Sequence, residues 1–168
     1  MIMIQRVQSI FLFFVAVCML LVLYFPLWEK VSVEQQEVAK LTAYSLTHYA
    51  IDTTDENIPP KIIGTKMTVA IAILAILAAI TAITSIFQYK NRLTQMKLGA
   101  LNSLFMAATL GFALYYVTYT GESLVEPQEQ GAYKLGFFLP AIALVLNTLS
   151  NRFIRRDENL VRSVDRIR

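Results

Sequence analysis

Two side chains in this sequence belong to the types that most often do nucleophilic, redox or metal chemistry, and each type occurs once. Cys18 is the single cysteine and His48 the single histidine among 168 residues. Disulfide exchange needs paired cysteines, and a zinc site needs several His or Cys ligands together. We therefore predict no catalytic residues, no metal site and no cofactor, and we expect that the protein is not an enzyme.

Asn102 and Asn147 are the most polar side chains within the long apolar stretches of the sequence. Those stretches contain no Asp, Glu, Lys, Arg or His, although ion-coupled transporters and proton relays normally need such a residue at membrane depth. An asparagine in an apolar helix can bond a neighbouring helix or contact a neutral substrate. The sequence leaves both the structural and the functional interpretation open for these two residues.

The composition indicates the medium in which these side chains lie. Hydrophobic residues make up 56% of the chain and charged residues 16%, whereas soluble domains carry about 25% charged residues. The mean hydropathy is +0.52. These values exclude a disordered chain and a disulfide-rich secreted scaffold, and they predict an integral membrane protein.

Four windows without charge approach or exceed the ~20 residues that a helix needs to cross a bilayer. They predict transmembrane spans near residues 7–28, 67–89, 98–121 and 134–151, within a single integral domain over 1–168. The last window is the shortest, and a re-entrant segment is its alternative interpretation.

The charges between these windows predict an orientation. Net charge is +1 over 1–6, +3 over 90–97 and +3 over 152–168, but −2 over 29–66 and −2 over 122–134. Positive segments remain in the cytoplasm. Both termini and loop 90–97 are therefore expected inside, and loops 29–66 and 122–133 outside.

The expected fold class is an all-α membrane protein, a four-transmembrane-helix bundle with a small extracytoplasmic cap. Residues 38–49 alternate as one or two strands would, and the sequence leaves open whether loop 29–66 forms a short β-sheet in this cap. The tail 152–168 is expected to form a cytoplasmic amphipathic helix.

Small residues recur on one face of two predicted spans, where they allow helices to approach closely. The predicted helix-packing residues are Gly99, Ser103, Ala107, Gly111, Ala72, Ala75, Ala79 and Ala82. Their spacing does not decide between packing within one chain and packing between copies.

The tail is the most basic segment. Its arginines are Arg152, Arg155, Arg156, Arg162, Arg166 and Arg168. They are expected to face anionic headgroups, with the apolar side of the helix on the inner leaflet. Alternatively, they only fix topology or dock a cytoplasmic partner; the basic excess is too small to predict nucleic-acid binding.

Both ends of the sequence resemble those of a family named domain of unknown function 4293. The resemblance is carried by IQRVQS at residues 4–9 and by most of NRFIRRDENLVRSVDRIR at residues 151–168. It implies a multi-pass protein of the bacterial cytoplasmic (inner) membrane, and it implies no activity.

Three functional hypotheses follow. The first is a structural or accessory subunit that binds the bilayer and either a membrane-protein partner or further copies of itself. The second is an oligomeric transporter or channel for a neutral or apolar substrate, lined by Asn102, Asn147 and Thr109. The third is a lipid-handling enzyme or sensor that acts at the outer interface through His48 and the nearby acids. The sequence supports it least, because it offers no nucleophile–base pair at a recognisable spacing.

Overall fold

The computed structural model describes residues 2–32, 36–50, 60–89, 91–125 and 130–165, with side chains placed from residue 7 to residue 159. The helices are α1 (Ile2–Val22), α2 (Val69–Phe87), α3 (Arg92–Tyr116) and α4 (Leu135–Asp165). The strands are β1 (Trp28–Ser32), β2 (Glu37–Leu41), β3 (Ser45–Ala50), β4 (Lys61–Met67) and β5 (Ala132–Tyr133). A π-helical turn over Val117–Gly121 extends α3.

The strands form one antiparallel sheet in the order β4-β3-β2-β1-β5. Consecutive strands β1 to β4 are neighbours, and β5 returns from a distant part of the chain to pair with β1. One face of the sheet is buried, because cross-strand partners such as Trp28 and Leu41 point to the same side. This inner face packs against the ends of the helices that the strands connect.

The four helices lie side by side, and their ends meet the inner face of the sheet. Helix α1 packs against α2 and α4, and α3 packs against the same two helices. Each helix buries residues at alternating four- and three-residue spacing, as in Leu12, Val15, Met19 and Val22 of α1. That average of about 3.5 residues keeps one stripe facing its neighbours along the whole helix.

The predicted fold class, an all-α four-helix membrane bundle, is wrong. The chain combines four helices with a five-stranded antiparallel sheet, which is an α+β architecture. Three helical segments are long and apolar enough to cross a membrane: Val69–Phe87, Arg92–Gly121 and Leu135–Asn159. The described apolar part of α1, Val7–Val22, is shorter than these.

The first predicted span, 7–28, extends too far because uncharged residues do not all belong to a helix. Helix α1 ends at Val22, and Pro26 follows in the connection to β1. Leu27 and Trp28 are fully buried at the start of the sheet, where the Leu27 amide donates to the Leu41 carbonyl at 2.9 Å. A window without charge cannot distinguish a buried strand from the end of a helix.

Two other boundaries also differ from the expected ones. Helix α3 begins at Arg92, where the Asn91 side chain accepts the Thr94 amide at 3.3 Å, so most of the predicted loop 90–97 is helical. Helix α4 continues through residue 165, so the first part of the predicted tail helix is a direct extension of α4. There Phe153 stacks on Phe11 of α1, with ring centroids 5.7 Å apart.

Candidate functional site

Polar side chains from all four helices are buried in the half of the helical layer remote from the sheet. We call this set the polar layer; it comprises Gln8, Ser85, Gln95, Asn102, Asn147 and Ser150. Each of these residues lies on the buried stripe of its helix. The stripe positions nearer the sheet are mostly apolar. Asn102 and Asn147, the asparagines singled out from the sequence, both belong to the layer.

Asn147 links α4 to α3 within the polar layer. Its side-chain amide donates to the Gly99 carbonyl at 2.7 Å and to the Ser103 hydroxyl at 2.8 Å. A Cβ atom on residue 99 would overlap the end of the Asn151 side chain, which would have to move. Gly99 therefore leaves room for the Asn151 amide beside the contact between α3 and α4.

Two further hydrogen bonds tie the other helices together. The Gln95 side-chain amide donates to the Ser85 carbonyl at 3.1 Å, which joins α3 to α2. The Ser150 hydroxyl donates to the Gln8 carbonyl at 3.4 Å, which joins α4 to α1. Each bond crosses between helices, so the layer fixes their relative positions.

Several polar atoms of the layer have no hydrogen-bond partner among the described residues. These atoms are Nε2 of Gln8, Oγ of Ser85, Nδ2 and Oδ1 of Asn102, and Oδ1 of Asn147. A buried polar group without a partner costs about 1–3 kcal/mol. Asn102 is the most extreme member, since both atoms of its amide are unpaired while the residue is 1% exposed.

An ion pair lies at the end of the polar layer that is farthest from the sheet. Arg92 Nη1 lies 2.8 Å from Asp157 Oδ2, and the Asp157 side chain is 5% exposed. Sequence reasoning missed this pair because it assigned Asp157 to a solvated tail. The signal was present, because Asp157 continues the spacing of Asn147, Ser150 and Ile154 along one stripe of α4.

Toward the sheet, the interior between the helices becomes apolar. Leu12, Met19 and Met106 are each no more than 1% exposed and fill this half. Thr109 is also buried there, but its hydroxyl bonds the Phe105 carbonyl of its own helix at 2.8 Å. The layer thus offers neutral donors and acceptors on one side of an apolar barrier.

The predicted small-residue packing face is buried on α2 but is partly exposed on α3. Ala72, Ala75, Ala79 and Ala82 are all buried on α2. On α3, Gly99 and Ser103 contact α4, whereas Ala107 and Gly111 are exposed. A strict four-residue spacing turns by about 40° at each step, so the far end of this series points away from α4.

The structure describes the side chains of three of the six tail arginines. Arg152, Arg155 and Arg156 are exposed on α4. The side chains of Arg162, Arg166 and Arg168 lie outside the described residues.

A buried lysine anchors the sheet to the end of α3. Lys30 of β1 has a side chain with 0% exposure, 3.9 Å from the Glu122 carboxylate. Its amine donates to the carbonyls of Val125 at 3.1 Å and Glu122 at 3.3 Å. Sequence reasoning placed Lys30 in an exposed loop. The structure places it in β1, on the same buried face as Trp28 and Ser32.

Replacing Lys30 with methionine should lower the free energy of unfolding by about 1–3 kcal/mol, because two carbonyls lose their buried donor. The matched control is Lys40→Met, which removes a partly exposed lysine from the adjacent strand. Thermal unfolding of both variants in one detergent measures the effect. Equal melting temperatures for the two variants would show that the anchor contributes nothing.

Strand β4 leaves one edge of the sheet uncovered by any described strand. All seven of its residues are exposed, including Ile62 at 65% and Met67 at 79%. A bulge interrupts its pairing with β3. Gly64 pairs with His48 and Ile62 pairs with Tyr49, so Ile63 has no partner on β3. A long exposed strand edge with apolar side chains is a favourable site for pairing with another segment.

The titratable groups of the sheet have identifiable neighbours. His48 Nε2 lies 2.9 Å from Glu37 Oε2 on the adjacent strand, which gives the histidine a pairing role. Partial burial and then the charge of Glu29 raise the pKa of the Tyr49 hydroxyl above its ordinary value. Among the described residues, no three His, Cys, Asp or Glu side chains come together as a metal site would require.

The fold and the polar layer define an α+β protein with three helical segments long and apolar enough to cross a membrane. The chain belongs to the family described as Domain of unknown function (DUF4293), whose sequence model matches residues 4–167. This match confirms the resemblance drawn from the two ends of the sequence. No curated protein matches the chain.

Proposed function

We propose that this protein is a membrane-embedded accessory subunit that binds an extended, acidic segment of another envelope protein at the edge of its sheet. The proposal assigns the helices to the bilayer and the sheet to recognition. It gives the protein no catalytic role. The observation that carries it is strand β4, a seven-residue sheet edge on which every residue is exposed.

The proposed setting is the bacterial inner membrane, with α2, α3 and α4 crossing it. The helix ends remote from the sheet carry Arg92, Lys97, Arg152, Arg155 and Arg156. Positive residues of this kind favour the cytoplasmic side. This supports a cytoplasmic α2–α3 connection and an extracytoplasmic sheet.

Backbone pairing is the mode of recognition that the β4 edge supports. An edge strand presents unpaired N–H and C=O groups to which an extended segment can add. The bulge at Ile63 divides the edge, so a regular added strand would pair along residues 64–67. The exposed side chains of Ile62, just before that stretch, and of Met67, at its end, would then supply apolar contacts.

The charge of β4 favours an acidic partner over a second copy of this chain. Lys61 and Lys66 are exposed, and neither forms an ion pair with a described carboxylate. Lys66 instead donates to the Thr120 hydroxyl at 3.2 Å. Pairing β4 with another β4 would bring four lysines together, whereas a segment with carboxylates would neutralise them.

Reversing the charge of β4 tests the proposal. The variant Lys61→Glu with Lys66→Glu should lose a partner that the unmodified protein retains when extracted from its own membranes into nanodiscs. Lys40→Glu, which reverses the charge of one lysine on β2, should retain the partner. Retention of the same partner by both variants, or a complex made only of this chain, would contradict the proposal.

An oligomeric transporter for a neutral substrate is the alternative. The polar layer supports it to the extent that Asn102 and Asn147 are buried between helices. The apolar side chains of Leu12, Met19 and Met106 fill the interior beyond the layer, which favours the accessory role. If transport occurs, replacing both asparagines with alanine should abolish it.

A further inference from the structure

We propose that the polar layer is a binding site for water molecules, which enter from the end of the helices that carries the α2–α3 connection. The layer would form a hydrated chamber that reaches about halfway along the helices and ends at an apolar barrier. The observation behind it is a set of buried, unpaired polar atoms on four different helices, all in the half of the helices remote from the sheet.

Asn102 is the strongest indication of a bound molecule. Interchanging the oxygen and nitrogen of an amide often restores a missing hydrogen bond, but here both atoms are unpaired. No flip of this side chain can therefore satisfy it. Buried polar groups in native proteins are nearly always bonded to protein or to ordered water, so a ligand is the simplest source of the missing bonds.

The chemistry of the unpaired atoms fits water. Gln8 Nε2 and Asn102 Nδ2 are donors, Asn102 Oδ1 and Asn147 Oδ1 are acceptors, and the Ser85 hydroxyl is both. A buried water usually makes two to four such bonds. The layer itself carries no charge, and the Asp157 carboxylate beside it is paired with Arg92, so a neutral molecule fits better than an ion.

The depth of the chamber follows from the length of α3. Asn102 lies ten residues beyond Arg92, and a rise of ~1.5 Å per residue places it about 15 Å along the helix. That is about half the ~30 Å thickness of a hydrocarbon core. Met106, one turn further, is fully buried in the apolar half, so hydration should stop between these two positions.

Cysteine labelling tests the chamber and its limit. On a Cys18→Ala background, Asn102→Cys and the nearly isosteric Ser85→Cys should react with a membrane-impermeant maleimide in the folded, membrane-embedded protein. The deeper positions on the same helices, Met106→Cys and Ala78→Cys, should not react. Reaction at Asn102 and Ser85 should occur only from the side that labels the exposed Gln88→Cys.

Two labelling results would overturn the proposal. Protection of both Asn102→Cys and Ser85→Cys would show that no open aqueous path reaches the layer from this end, contrary to the proposed entry of water. Equal labelling of the deeper pair would show that the interior is open along its length and that no bounded chamber exists.

A stability measurement gives an independent decision that does not need a reactive cysteine. In a dry layer, Asn102→Leu removes two unsatisfied atoms, and the melting temperature should rise. In a hydrated layer, the same change displaces bound water and leaves its other partners unpaired, so the melting temperature should fall. We expect a fall, and a rise would overturn the proposal even if the cysteine variants did not fold.

Discussion

Replacing Trp28 with alanine should lower the free energy of unfolding by about 3–5 kcal/mol, as expected for a fully buried large aromatic side chain. The indole is 0% exposed at the start of β1. It lies against Gly121 at the end of the π-helical turn and against Gly131 just before β5. Its removal should therefore weaken the packing of the sheet against the end of α3 and against the segment that leads into β5.

The control for this prediction is Tyr24→Ala. Tyr24 is an aromatic residue only four positions earlier, but it is 86% exposed. Thermal unfolding in detergent, followed by near-ultraviolet circular dichroism, compares the two variants. A similar change in melting temperature for both would contradict the role assigned to Trp28.

Replacing Gly99 with valine should destabilise the protein by about 3 kcal/mol or more, the second largest expected effect. A Cβ atom at this position overlaps the flexible end of the Asn151 side chain, which must move. We expect the additional methyl groups of valine to overpack the contact and displace α3 from α4. The same displacement breaks the bonds from the Asn147 amide to Gly99 and Ser103, which leaves buried polar groups unpaired.

Gly111→Val is the matched control on the same helix. Among the described residues, nothing lies within 4 Å of a Cβ atom added at Gly111, so this variant should unfold at the temperature of the unmodified protein. Melting curves of both variants in one nanodisc preparation measure the difference. Equal destabilisation would mean that glycine is needed in α3 for a reason other than contact with α4.

The helices were the more predictable part of the fold, and the sheet the less. Long uncharged windows located α2, α3 and the first part of α4. The composition of a helix that is long and apolar enough to cross a membrane is visible in sequence. Those windows could not separate Leu27 and Trp28 from the helix, since burial at the start of a sheet produces the same composition. The strands β2 and β3 extend only one residue beyond each end of the segment 38–49, where alternation was visible.

The polar layer was predictable only in part. Asn102 and Asn147 stood out because an amide within an apolar helix is rare. Asp157 and Arg92 did not, because charge alone assigned them to solvent, and only the four-and-three spacing along α4 would have placed Asp157 in the interior. Lys30 was missed for a different reason, because its carbonyl partners follow almost a hundred residues later and no local pattern encodes them.

The most direct test of the proposed function is site-specific photo-crosslinking in native membranes. A photoreactive amino acid at Ile62 of β4 should form a crosslink to an acidic, extended segment of another protein, and the Lys61→Glu, Lys66→Glu background should abolish that crosslink. The same probe at Leu104, an exposed residue of α3, should not capture that segment. Crosslinks from Ile62 only to lipid, to a second copy of this chain or to its own residues 51–59 would contradict the account.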